Sequence, residues 1–303
     1  MRYRFCVSWL TAIGLSLVTS SEPIDAAIFG DGNPHNGIED QRRISTRIEA
    51  RAIGTVFCDG GLRGTATHIN PAAEPQRSAP TPALIITAAH ILFDEDSGEM
   101  YQSCSYLPKN NRFEAIPFAA VSDHQFRPLA ANKIHQSEAD IVFVALAKPP
   151  RQPALQLAEP RLSNAQEVDQ KDRQSQPLYL IGYNSSLDQI TESASCIAFN
   201  STQFASEKLL FHDCDARAGA SGGAVLQDQL GRTAGNEARL VAVHGGTLFI
   251  TAAKAAHAPP AETDGAKVDP EVRINQARRI DQALIKRLQQ FVAYLARDFP
   301  DQK

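Results

Sequence analysis

Gly219-Ala220-Ser221-Gly222-Gly223 frames a serine with small residues and glycines. This is how a chain presents a hydroxyl as a nucleophile, and the segment fits two acyl-transfer patterns, G-x-S-x-G and G-x-S-G. A serine hydroxyl attacks poorly near neutral pH until a base takes its proton. Eight histidines compete for that role. His90 stands out: it follows the apolar run Leu84-Ile85-Ile86 through Thr87-Ala88-Ala89, whose small residues let a ring reach a cleft at the strand's end. A lone histidine is more often structural, so the surrounding elements have to decide.

Those elements read as short strands joined by turn-rich connections. One set comprises Gly54-Thr55-Val56-Phe57, Gly64 to Ile69, Ala83 to Thr87 and Ile141-Val142-Phe143-Val144. A second set comprises Leu178 to Gly182, Lys208 to His212, Gly223 to Leu226 and Leu240 to His244. Such short β-rich runs suit sandwiches or barrels, and no strand-helix alternation of a parallel sheet is visible. Residues 148–177 are crowded with Pro, Gln and charged residues and read as a linker between two halves. Pro71 to Pro82 and Ala255 to Pro270 read as surface loops. Ile280, Leu284, Leu288, Phe291 and Leu295 form one apolar stripe on a helix that docks on the body and ends before Pro300.

Composition narrows the partners. Lys+Arg number 30 against Asp+Glu 34, a formal charge of −4, so no overall basic field exists to hold nucleic acid. Arg2 and Arg4 precede an apolar run from Phe5 to Val18 and then small and polar residues near Ser20 and Ala26. That is the layout of a cleaved secretory signal, shorter than the roughly 20 apolar residues a membrane span needs. Secreted or periplasmic placement follows, with no membrane contact after cleavage. Loss of Cys6 with the signal leaves Cys58, Cys104, Cys196 and Cys214, an even set for an oxidising compartment. Of three possible pairings, Cys58 with Cys104 and Cys196 with Cys214 is favoured, because each bridge then stays inside one half. No C-x-x-C or paired Cys/His spacing suggests a metal, and no cofactor is expected.

Thr87-Ala88-Ala89-His90 resembles the histidine motif of trypsin-like serine proteases, and two further motifs follow in that family's order. Asp140 before Ile141 to Leu146 resembles the aspartate strand, and Asp213 to Gly223 resembles the serine loop. The resemblance covers roughly Gly54 to Phe249. It implies an all-β fold of two six-stranded antiparallel Greek-key barrels of chymotrypsin type with a C-terminal α-helix. The expected organisation is a signal peptide at 1–26, an extension or prosegment at 27–50, a first barrel at 51–147 and the linker at 148–177. A second barrel at 178–274 and the helix at 275–303 complete it.

By the same resemblance Ser221 is the nucleophile, His90 the base and Asp140 the group that fixes the imidazole, with backbone N–H groups of Gly219 and Ser221 as the oxyanion hole. Peptide or protein substrates and a monomer are implied. An esterase elbow needs its acid and histidine downstream on an α/β scaffold, which Asp228 and His257 lack. A protease fold kept as a secreted binding protein without turnover is the rival from another class. Ala220 stands where family members activated by a freed amino terminus commonly carry Asp, so that latch is absent. Val241 to Gly246 resembles the segment of bacterial glutamyl endopeptidases in which a histidine lines the first specificity pocket. His244, Gly245, Gly246 and Thr247 are therefore candidate substrate contacts for an acidic side chain. Asp215, six residues before the serine, points instead to a basic one, and small or apolar preferences stay open too.

Overall fold

The structure, a computed structural model, describes residues 28, 40–71, 83–109, 114–161, 177–199, 206–228, 238–251 and 271–298. The expected signal segment with Cys6, most of the extension, the middle of the linker, both Pro/Ala-rich loops and His257 lie outside the described residues. Along the chain, β1 is Arg43–Ile44, β2 Ile53–Cys58, β3 Gly61–Asn70, β4 Leu84–Thr87, β5 Cys104–Pro108 and β6 Ile116–Val121. Then come α1 at Lys133–Glu138, β7 at Val142–Leu146 and β8 at Leu155–Gln156. The second half holds β9 Leu178–Asn184, β10 Gln189–Cys196, β11 Ala198–Phe199, β12 Leu209–His212, β13 Ala224–Gln227, β14 Arg239–Thr251 and β15 Glu271–Arg279. It ends in α2, Gln282–Asp298.

The first sheet runs β2-β5-β6-β7-β4-β3, and β2 also pairs with β3, closing six antiparallel strands into a barrel with β8 added in parallel at β3. Its strands β4 and β7 are buried along their whole length, which is why they read as unbroken apolar runs. The β2–β3 hairpin turns at Asp59 and Gly60, both at positive φ, the Asp-Gly signature of a tight turn matching strand twist. Cys58 and Cys104 are cross-strand partners and are bridged.

The second sheet runs β10-β9-β13-β14-β15-β12, with β1 of the amino-terminal segment added at β10. Directly after β10, the chain continues as β11 and pairs with β12, so one bent strand joins both edges. Cys196 at the end of β10 is bridged to Cys214 beyond β12, fastening the same bend. Both favoured disulfide pairings are thus present.

One apolar core spans both barrels. Ile86, Ile141 and Phe143 of the first pack in one cluster with Ile181, Leu240 and Val243 of the second and with Leu284, Leu288, Phe291 and Leu295 of α2. Asp281 caps α2, its Oδ1 accepting the Leu284 N–H at 2.7 Å. The helix starts later than the expected 275, because residues up to Arg279 are held in register by β14 and β12. Among the described residues no helix is long and apolar enough to cross a membrane.

Candidate active site

His90 follows β4 directly, on a turn whose Ala88 and Ala89 are fully buried and leave no bulk between strand and ring. Asp140 sits just before β7, antiparallel to β4, so neighbouring strands deliver acid and base to one end of the first barrel. Its Oδ1 accepts the His90 backbone N–H at 2.8 Å, and its Oδ2 accepts Nδ1–H of the ring at 2.7 Å. A carboxylate only accepts, so the imidazole proton is fixed on Nδ1 and Nε2 is left as the basic nitrogen. Desolvation pulls the His90 pKa down. The charge and hydrogen bond of Asp140, helped by the charge of Glu95, outweigh it and hold His90 above the ordinary histidine value.

Ser221 comes from the other barrel, on the loop before β13. Gly219 at φ +94° and Gly222 at φ +82° bend this loop through angles that side chains resist. A Cβ on Gly222 would also collide with Thr65 O and Thr87 Oγ1. The amides of Ala220, Gly222 and Gly223 are spent on Arg217 O, His244 O and Ala220 O. Those of Gly219 and Ser221 have no partner among the described residues, so this short loop keeps two donors unused. His90 and Ser221 line one cleft of about 1090 Å³, without a hydrogen bond between them.

Two contacts that sequence reasoning missed fasten the serine loop. The Thr65 N–H donates to Ser221 O and its Oγ1 donates to Gly219 O, each at 2.7 Å, while the same Oγ1 accepts the Tyr183 N–H at 2.9 Å. Gly64 makes the approach possible, since a Cβ there would fall 2.7 Å from Ser221 O. No motif signals either residue; both sit inside an ordinary strand pattern.

His244, Gly245, Gly246 and Thr247 all line the cleft. His244 is fully buried, and its tautomer follows from a chain of bonds. The Cys214 N–H donates to His212 Nδ1 at 3.2 Å, which leaves the His212 proton on Nε2. That nitrogen faces His244 Nδ1 at 3.3 Å, so His244 carries its own proton on Nε2, an atom buried without a partner among the described residues. Desolvation first, and the charge of His90 second, push His244 down to about 3, so it is neutral near pH 7. His244, a residue of the cleft wall, thus carries a neutral N–H donor. Thr247 Oγ1 donates to Asn275 Oδ1 at 2.6 Å.

Asp215 does not line the cleft. It is buried, and its Oδ2 accepts the backbone N–H of Gln41 at 2.8 Å, so its carboxylate anchors the amino-terminal segment. This removes the cue for a basic side chain. Ala220 is buried against Gly182, with no acid beside the serine. Among the described residues no group of three His, Cys, Asp or Glu could hold a metal ion.

A family model described as a trypsin-like peptidase domain matches residues 64–235. A Glu endopeptidase solved in complex with MPD is similar with a TM-score of 0.52 and 14% identity, covering 84% of this chain and 97% of that one. A thermostable serine protease, AL20, from an extremophilic microorganism is similar with a TM-score of 0.50 and 14% identity, covering 82% of this chain and 99% of that one. At such identity these structures show a common fold. A search of curated proteins gave no match. Since the family match covers more than half of the chain, including the positions of His90, Asp140 and Ser221, the chain belongs to the trypsin-like peptidases and is a serine endopeptidase.

Proposed function

We propose that this protein is an exported endopeptidase that cleaves peptide bonds through an acyl-enzyme on Ser221. The observation that carries the reading is the His90–Asp140 pair facing Ser221 across one cleft. Ser221 Oγ attacks the scissile carbonyl carbon as its proton passes to His90 Nε2, and the oxygen that gains charge accepts the free N–H groups of Gly219 and Ser221. Collapse breaks the C–N bond and His90 returns the proton to the leaving amine. Water then repeats the sequence on the ester and frees Ser221. The signal-like amino terminus and two disulfides support export to an oxidising compartment.

The first specificity pocket takes an acidic side chain. His244 Nε2–H is a buried donor without a partner among the described residues, and a carboxylate is the acceptor whose arrival would also raise the His244 pKa and strengthen the bond. The structural likeness to a Glu endopeptidase agrees with this direction. Labelling of Ser221 by a fluorophosphonate, lost in Ser221→Ala and His90→Ala, tests the chemistry. Cleavage-site profiling on a peptide mixture tests the pocket, and absence of Glu and Asp at the first subsite would sink the acidic assignment.

A further inference from the structure

Asp140 belongs to the first barrel, but the turn that carries it is held by the second. Strand β15 presents alternate residues to its two faces. Asn275 and Ala277 turn inward, Asn275 Nδ2 donating to Cys214 O at 2.8 Å and Ala277 packing in the second core. Gln276 and Arg278 turn towards Asp140. Arg278 is buried, and its Nε donates to the backbone oxygen of Glu138 at 2.8 Å, two residues before the triad acid. Its guanidinium also donates to Lys208 O at 3.3 Å and pairs with Asp281 Oδ2 at 2.8 Å, the carboxylate that caps α2. Ser206 Oγ donates to Glu138 Oε1 at 2.8 Å, so the turn is gripped at side chain and backbone. Gln276 lies on the other side of the acid: a Cβ on Gly245 would collide with Gln276 Nε2 and stand 3.1 Å from Asp140 Oδ2.

We propose that Arg278, braced by Asp281, is a positioning residue that holds Asp140 in register with the second barrel and thereby keeps His90 oriented towards Ser221. This rests on the peptidase reading above only for its effect on turnover. A guanidinium suits the task because its planar fork serves several acceptors with one rigid group, whereas a lysine ammonium is a single point. Released from Arg278, the 138–140 turn relaxes and the Asp140–His90 bond lengthens. The groups facing His90 are Asp140 at Nδ1, Glu95 from the segment after its turn and His244 from β14, and His124 faces Asp140. Of these, Asp140 is the strongest influence holding His90 up, so its retreat lowers the His90 titration.

The test compares the wild type with Arg278→Gln, Arg278→Lys and Asp281→Asn. Asparagine at 281 keeps a side-chain acceptor for the helix cap and loses the ion pair with Arg278. The His90 ring is titrated by NMR, a readout independent of turnover, beside kcat and KM. In Arg278→Gln the His90 titration is expected to fall by about half a unit or more, with kcat down roughly 10- to 100-fold and KM within about twofold. Asp281→Asn moves the same way by less, and Arg278→Lys recovers part of the loss. If Arg278→Gln fails to fold, Asp281→Asn decides. An unchanged His90 titration in a folded variant that has lost the contact overturns the proposal, whatever the melting temperature does. Failure of the peptidase reading would show separately, as a folded wild type that no fluorophosphonate labels.

Discussion

Replacing Thr65 with valine keeps shape and volume but removes the hydroxyl that joins the barrels behind the serine. The residue is fully buried, so Gly219 O loses a donor and the Tyr183 N–H loses an acceptor in a part-buried contact. At about 1 kcal/mol for each lost bond, and more where a buried group is left unpaired, stability should fall by about 2–4 kcal/mol. At about 2.1 cal/mol/K of unfolding entropy per residue, for a chain of this size that is a drop in Tm of roughly 3–7 °C. Catalysis suffers separately, because Gly219 supplies one of the two free amides. Complete loss of one such donor costs about 2.7–4 kcal/mol of transition-state stabilisation. Loosening forfeits a part, and about 1.4 kcal/mol corresponds to a tenfold loss of kcat. Thermal unfolding and steady-state kinetics on one peptide substrate measure both, with Thr65→Ser, which retains the hydroxyl, as the control. Wild-type kcat in a folded Thr65→Val enzyme would refute the view that this side chain sets the geometry of the serine loop.

His90 is held above the ordinary histidine value of 6.5, and its protonated form cannot accept the Ser221 proton. The acid limb of the kcat/KM profile is therefore expected above pH 6.5, and Asp140→Asn should move it down while lowering kcat by about 10⁴-fold. Gly64→Ala would place a Cβ 2.7 Å from Ser221 O; fluorophosphonate labelling is expected to drop severely while the disulfide-bonded fold survives by circular dichroism. Asp215→Asn, which keeps an acceptor but loses its charge, is expected to cost about 1 kcal/mol of stability by weakening the charge-assisted bond to Gln41. It should leave the cleavage-site preference unchanged, and a changed preference in peptide profiling would return Asp215 to the pocket.

The parts of the fold that were readable in the sequence are those whose burial coincides with apolarity. The runs in β4 and β7 point to themselves. Strands β10 and β15 do not, because Thr191, Glu192, Ser193, Asn275, Gln276 and Arg278 are polar yet buried. Each needs a partner that only the folded chain reveals, as Glu192 finds Arg43 and Ser45 on the amino-terminal segment. The proposed triad of His90, Asp140 and Ser221 was legible as a candidate because such chemistry dictates residue type, order and small neighbours. Thr65 and Gly64 were not, since their role exists only where two distant segments meet. Asp215 shows the opposite failure: its position suggested substrate, but its carboxylate is taken by Gln41, 174 residues away in sequence.

The helix α2 has a mechanical consequence. Its apolar stripe lies in the cluster shared by both barrels, and Arg287 reaches the first barrel at Asp123 O, 2.8 Å away. A pin seated across a joint resists rocking of the halves it crosses, so the stiffness of the cleft is governed at the far end of the chain. Clipping the polypeptide after Arg279 would take Leu284, Leu288, Phe291 and Leu295 out of that shared cluster and free the barrels to breathe, turning a rigid peptidase into a compliant one whose catalytic groups meet only part of the time.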